Sequence, residues 1–297
     1  MRVLMATDGS KRATNALIAA GRMLSTGHRE IDLMCVVPKV PQHGRHSHQE
    51  RVCRHAQHIV NKTKEKLAAE GLHAQTLVRV GSPTRTLIEA SYNYDVTVVA
   101  AASRRTGPMA GLGPVASRVA EHSGRTTLLA REGRSEPGCR ILVAVDGSEA
   151  SLRALDRMVE VVDLAGAEVT LLHVVETPWL HPGPDQEWLG YLEDEEEKID
   201  LPAQFQEEFV IESDAILATA SGRLPARTTV NTLIYEGLPA DEILSEADRG
   251  DYDMVAIGAT GSTDLKHRIL GSVSTKVAWN APCSVLLVGV ASEQERS

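Results

Sequence analysis

Gly258-Ala259-Thr260-Gly261, followed after nine intervening residues by Gly271-Ser272, is a spacing that can hold phosphate. Glycine tolerates φ > 0 and lets the backbone come close to a ligand. A helix N-terminus adds unpaired N–H groups and the positive end of a dipole, which suit an anion. Three glycines and a serine describe a nucleotide phosphate cradle if a strand delivers the first glycine and a helix opens at the last. The flanking residues meet both conditions. Met254-Val255-Ala256-Ile257 reads as a buried strand, and Val273-Ser274-Thr275-Lys276-Val277 reads as the start of a helix. Lys266, His267 and Arg268 in the intervening loop could add positive charge, although a solvated basic loop accounts for them equally well.

The elements that must position this cradle occur twice. Val3-Leu4-Met5-Ala6-Thr7-Asp8-Gly9-Ser10 reappears 138 residues later as Ile141-Leu142-Val143-Ala144-Val145-Asp146-Gly147-Ser148. Ile31-Asp32-Leu33-Met34-Cys35-Val36-Val37 lies over Val169-Thr170-Leu171-Leu172-His173-Val174-Val175 in the same register. After an insertion in the second copy, Gly81-Ser82-Pro83 matches Gly237-Leu238-Pro239, and residues 95–100 match 253–258. Two copies of this length are a tandem duplication of a domain, not a solenoid. In the second copy Leu152, Leu155, Met158 and Val159 recur at helical spacing, 228–235 reads as a third strand, and 240–247 reads as a helix after Pro239. Apolar strands alternating with helices give a parallel sheet covered on both faces, with right-handed crossovers.

The expected boundaries are a first domain at 1–131, a polar linker rich in breakers at 132–138, a second domain at 139–291 and a polar tail at 292–297. The insertion at 176–200 carries three prolines, Trp179, Trp188 and the run Glu193-Asp194-Glu195-Glu196-Glu197. It reads as a solvated acidic segment rather than a lid, because carboxylates repel phosphates.

Length and composition bound the function. With 297 residues and 42% apolar content, each half can bury its own core. The net charge of −9 hides an asymmetry: residues 1–138 carry 20 Lys and Arg against 11 Asp and Glu, and the remainder 11 against 29. The basic charges of the first half are dispersed and not interleaved with aromatics, so no nucleic-acid partner is expected. No apolar run reaches the length of a membrane span, and no charged, apolar leader precedes Met1-Arg2-Val3-Leu4. The four cysteines are scattered without a C-x-x-C pair. A reduced, cytoplasmic protein is the expectation.

Taken together, Asp at the end of the first strand, His-Val in the second, and G-x2-G-x9-G-S after the fourth resemble the ATP-binding class of universal stress proteins. The resemblance covers nearly the whole chain, as two such domains in tandem. It implies, for each half, a doubly wound α/β domain with a five-stranded parallel sheet in the order 3-2-1-4-5 and helices on both faces. That order brings the first and fourth strands together at a switch point, where such sheets bind ligands. The resemblance places Asp146 at the ribose or base, backbone groups of Val145 and Val174 at the adenine, and Gly258, Gly261, Gly271, Ser272, Val273 and Ser274 around the phosphates. The implied cofactor is ATP, with or without Mg. The implied role is an ATP-binding stress-response regulator with at most slow hydrolysis. An ATP-hydrolysing enzyme and an interaction module with vestigial sites are the alternatives. The resemblance further implies that the last strands, 126–130 and 284–288, pair edge to edge, here as a pseudo-dimer within one chain.

The first copy departs from the motif: Gly258 becomes Ala100, Gly261 becomes Ser103 and Ser272 becomes Pro114, while Gly271 remains as Gly113. Proline has no N–H to offer a phosphate. The first site is expected to be degenerate, with Asp8 serving only the turn. Other chemistries find little support. His43, His46, His48, His55 and His58 with Cys53 form no zinc pattern. His173 reads as a hydrogen-bonded structural residue and Cys283, after Pro282, as a buried one. Neither a His-x-Gly-His sequence nor a Ser-Gly-Gly-x-Asp-Ser loop occurs, so adenylyl transfer and amidotransfer have no motif here.

Overall fold

A computed structural model describes residues 1–40, 47–101, 111–123, 125–133, 138–176, 203–259 and 270–289, the side chains of 47 and 203–209 excepted. Gly261, Ser103, Lys266, His267, Arg268, His43, His46, Trp179, Trp188, most of the 176–200 insertion and the tail lie outside the described residues.

The first half runs β1 (Arg2–Ala6), α1 (Lys11–Met23), β2 (Glu30–Val37), α2 (Ser47–Ala69), β3 (Ala74–Val80), α3 (Pro83–Ser91), β4 (Val96–Ala100), α4 (Pro114–His122) and β5 (Thr127–Ala130). The second repeats it as β6 (Arg140–Ala144), α5 (Glu149–Val161), β7 (Glu168–Val175), α6 (Ala203–Ser221), β8 (Thr229–Glu236), α7 (Pro239–Arg249), β9 (Met254–Gly258), α8 (Ser272–Asn280) and β10 (Ser284–Val288). Helix starts follow from local chemistry. Ser10 and Ser148 cap α1 and α5 by accepting from the N–H of Ala13 and Ser151. Pro83, Pro114 and Pro239 open α3, α4 and α7, where a missing N–H costs no helical bond.

All ten strands join one sheet in the order β3-β2-β1-β4-β5-β10-β9-β6-β7-β8. Within each half every pairing is parallel and the order is the expected one. At the seam β5 and β10 pair antiparallel, with Leu129 opposite Val285 and Leu128 opposite Leu286. A second seam joins the ends of α1 and α5: Ser25 N–H donates to Val161 O and Asp163 N–H to Met23 O, both at 2.8 Å.

Strand alternation sorts the core into two layers. Val3, Met5, Leu128, Ile141, Val143 and Leu286 face α1, α2, α5 and α6. Leu4, Val99, Leu129, Leu142, Val255 and Val285 face α3, α4, α7 and α8. Both layers run unbroken across the β5–β10 seam, so the halves share their core. A fully buried leucine such as Leu128 or Leu286 contributes about 2 kcal/mol. Among the described residues no helix is long and apolar enough to cross a membrane.

Candidate functional site

The sheet order places the ends of β6, β7 and β9 around one crevice in the second half. β6 and β9 stay paired only as far as Val143 opposite Ala256, after which β9 continues along β10 to Gly258. The corresponding strands β1 and β4 of the first half stay paired one residue longer, to Ala6 opposite Val99. The switch point of the second half therefore opens sooner.

The α8 end of the crevice is built from backbone. Ala259 N–H donates to Val288 O at 2.9 Å, which continues β9 past its last ladder pair, and Gly271 N–H donates to Ala259 O at 2.6 Å. That bond fixes the N-cap of α8 beside the end of β9. The first intrahelical bond runs from Thr275 N–H to Gly271 O at 2.9 Å. Ser272, Val273 and Ser274 thus present three N–H groups that have no acceptor within the helix. Ser272 is exposed at this mouth. Gly271 caps with φ −74°, and Gly258 is a strand residue outside the left-handed region. Neither glycine is required by its own φ.

One sequence expectation is refined here. The Ser274 hydroxyl is buried and donates to Ala259 O at 2.7 Å, with Gly271 O at 3.2 Å. It ties the mouth together and leaves only its backbone N–H for a ligand. Along the outer face of α8 an open groove of 490 Å³ starts at Gly271 and Ser272 and reaches Lys276 and Trp279. Lys276 is already matched by Asp241, 2.6 Å away on α7.

At the β6 and β7 ends, the Asp-Gly-Ser turn positions Asp146. Gly147 takes φ +77°, a conformation that favours glycine, and Ser148 N–H donates to Asp146 Oδ1 at 3.0 Å. Desolvation would raise the Asp146 carboxyl, but hydrogen bonds from Ser148 and Ser151 outweigh it and hold the group below the usual carboxylate range. Asp8 makes the same turn, accepting from Ser10 N–H at 2.9 Å beside Gly9 at φ +77°.

Val145 is more committed than the sequence suggests: its N–H donates to Leu172 O and its carbonyl accepts from His173 Nδ1 at 2.8 Å. His173 is buried and its proton sits on Nδ1, since a carbonyl can only accept. It serves the structure, as expected. Gly237 N–H takes the Val175 carbonyl on the β8 side. Strand alternation therefore turns the backbone groups of Val174 toward β6, where the β6–β7 ladder has ended.

In the first half the α4 mouth keeps the same cap, Gly113 at φ −66°, and the same first bond, Ser117 N–H to Gly113 O at 2.9 Å. Pro114 removes one of the three donors, which leaves the N–H groups of Val115 and Ala116. Cys283 is buried, and burial pushes its thiol and that of Cys139 up to about 12, so both stay protonated. Among the described residues no three His, Cys, Asp or Glu side chains come together as a metal site.

A family model described as the universal stress protein family matches residues 1–131 and 139–289. A universal stress protein of Bacillus subtilis is 33% identical over 150 residues, half of this chain and 97% of its own length. One from Mycolicibacterium smegmatis is 26% identical over 301 residues, 96% of both chains. The crystal structure of a universal stress protein from Archaeoglobus fulgidus covers 98% of both chains with a TM-score of 0.68 at 20% identity, a likeness of fold.

Proposed function

The chain belongs to the universal stress protein family, and we propose that it binds one ATP, in its second half, as a regulatory nucleotide. The observation that carries this reading is the α8 mouth: three N–H groups on Ser272, Val273 and Ser274, aligned with a helix dipole and facing a switch-point crevice. Polyphosphate placed there meets oriented donors and glycines at 258 and 271, whose lack of side chains favours close approach. Gly261, outside the described residues, extends the same pattern in the sequence. Across the crevice the Asp146 carboxylate can accept from ribose hydroxyls, and the Val174 backbone groups suit an adenine edge.

The ionisable groups at the crevice favour binding over turnover. The Asp146 carboxyl is held below the usual carboxylate range, which makes it a weak base, and His173 is buried in β7 with its Nδ1 on the Val145 carbonyl, so neither is well placed as a general base. ATP would therefore be held with slow hydrolysis at most, and binding would bias how the two halves or a protein partner engage.

Titration calorimetry on the full chain tests the reading, together with mass spectrometry of nucleotide released on denaturation. One ATP per chain, bound more tightly than adenosine, is expected. Two equivalent sites, or equal affinity for ATP and adenosine, would sink it. One universal stress protein is known in complex with cAMP, so cAMP belongs in the same series. Its single cyclic phosphate engages fewer donors, and it should bind this chain more weakly than ATP. Repeating the titration with EDTA reads whether Mg accompanies the nucleotide.

A further inference from the structure

Helix α8 opens on the phosphate mouth, but its other end is held by the opposite half of the chain. Arg131 follows β5 and reaches across the seam. Its backbone N–H donates to Ser284 Oγ at 3.1 Å, its Nε to Cys283 O at 3.0 Å, and a terminal guanidinium nitrogen to Ala278 O at 3.3 Å. Ala278 lies in the last turn of α8, where carbonyls lack helical donors and a cation complements the dipole. In the same last turn Trp279 packs on Gly111 of the first half so closely that a Cβ there would sit 3.1 Å from the indole ring. The position of the second half that corresponds to Arg131 is Gly289, so α4 receives no equivalent guanidinium.

With nine residues, α8 is about 13 Å long and behaves as one rigid rod. Fixing its C-terminal end against β10 sets where its N-terminal N–H groups stand. Ser274 and Gly271 fix the other end to Ala259. We propose that Arg131 is a positioning residue through which the first half sets the phosphate-binding mouth of the second. The proposal rests on the nucleotide reading above. The half with the poorer mouth thereby contributes to binding as the abutment for its neighbour's helix.

Full chains carrying Arg131→Gln or Arg131→Lys, titrated with ATP and with adenosine, test this alongside amide hydrogen exchange in α4 and α8. Arg131→Gln should lower ATP affinity about fivefold, on the scale of a charge lost at a helix end. Adenosine affinity should stay within about twofold, and exchange should quicken across α8 but not α4. Arg131→Lys should recover part of the ATP affinity, since an ammonium still reaches the end carbonyls, and it carries the comparison if the Gln variant fails to fold. Parallel losses for ATP and adenosine, or unchanged ATP affinity, overturn the proposal. A wild-type chain that binds neither ligand overturns the nucleotide reading instead. Exchange then judges Arg131 alone, and an α8 indifferent to its replacement rejects the positioning role.

Discussion

The mouths of α4 and α8 are two versions of one device. Each begins at a glycine in extended conformation, Gly113 or Gly271, and each closes its first intrahelical bond at 2.9 Å. Even the aspartate turns match, with Gly9 and Gly147 at the same φ. The difference lies in the atoms offered to a ligand. Pro114 deletes a donor that Ser272 keeps, Ala100 stands where Gly258 leaves room, and β1–β4 pairing runs one residue further than β6–β9. The comparison teaches that the fold tolerates loss of the cradle at no visible cost. Proline is welcome at the first position of a helix, and alanine at the end of a strand is ordinary. On one shared strand order, the halves differ in the backbone donors at the helix mouth, the room at the strand end and the length of one strand pairing.

The largest effect should come from the seam that makes the halves comparable at all. Leu286→Ala removes a fully buried side chain opposite Leu128 and should cost about 3 kcal/mol in urea unfolding. If the shared core makes one cooperative unit, hydrogen exchange in α4 and α8 will rise together. A response confined to α8 would show that the halves unfold separately.

Next in size is importing the proline of the first half. Ser272→Pro should reduce ATP affinity more than tenfold, since a charge-assisted hydrogen bond is worth about 1.5–3 kcal/mol. The melting temperature should hardly move. A variant that loses stability but keeps ATP would place the phosphates elsewhere. Gly258→Ala, which copies Ala100, should weaken ATP a few-fold and leave adenosine nearly unchanged, as calorimetry would read. Equal weakening of both ligands would mean that Gly258 lies under the nucleoside.

The smallest effect concerns acid. Because the Asp146 carboxyl is held below its usual range in the fold, its turn contributes stability above the ordinary carboxylate pKa of about 4. That contribution is lost as pH falls through the lower folded value. Asp146→Asn should therefore cost slightly at neutral pH and nothing in strong acid, measured as the difference between denaturation midpoints at the two pH values. A penalty that persists in acid would assign the turn's stability to shape instead of charge.

Much of this was legible in the residues. The repeat and the parallel sheet covered by helices on both faces follow from patterns along the chain, whereas the strand order with its switch point and the edge pairing of β5 with β10 follow from the family resemblance. The effect of the proline at α4 is legible in the chain as well, because a missing N–H is a property of the residue type. Element boundaries were close: the strand expected at 228–235 is Thr229–Glu236, and the helix expected at 240–247 is Pro239–Arg249. Other features depend on what each residue meets in three dimensions. Ser274 looks like a phosphate ligand until its hydroxyl is seen turned inward to Ala259. Val145 looks available until His173 takes its carbonyl. Arg131 and Arg157 carry no motif whatever. Arg157 donates to Asp95 O and Thr126 Oγ1 across the seam, as Arg131 does in the other direction. Their counterparts in the repeat are Ala19 and Gly289, so self-comparison of the sequence passes over both.

The antiparallel seam also dictates an order of events during synthesis. β5 is complete when the first half leaves the ribosome, but its partner β10 is made only after β6, β7, β8 and β9. Throughout translation of the second half, β5 is an uncovered sheet edge with a fully buried-to-be apolar sequence, Thr-Leu-Leu-Ala. Such an edge can pair with the same edge of another nascent chain, giving on a polysome the dimer that the finished molecule makes with itself. Fusing the halves in one polypeptide resolves that competition by proximity: the correct partner arrives tethered, at an effective concentration no neighbouring chain can match.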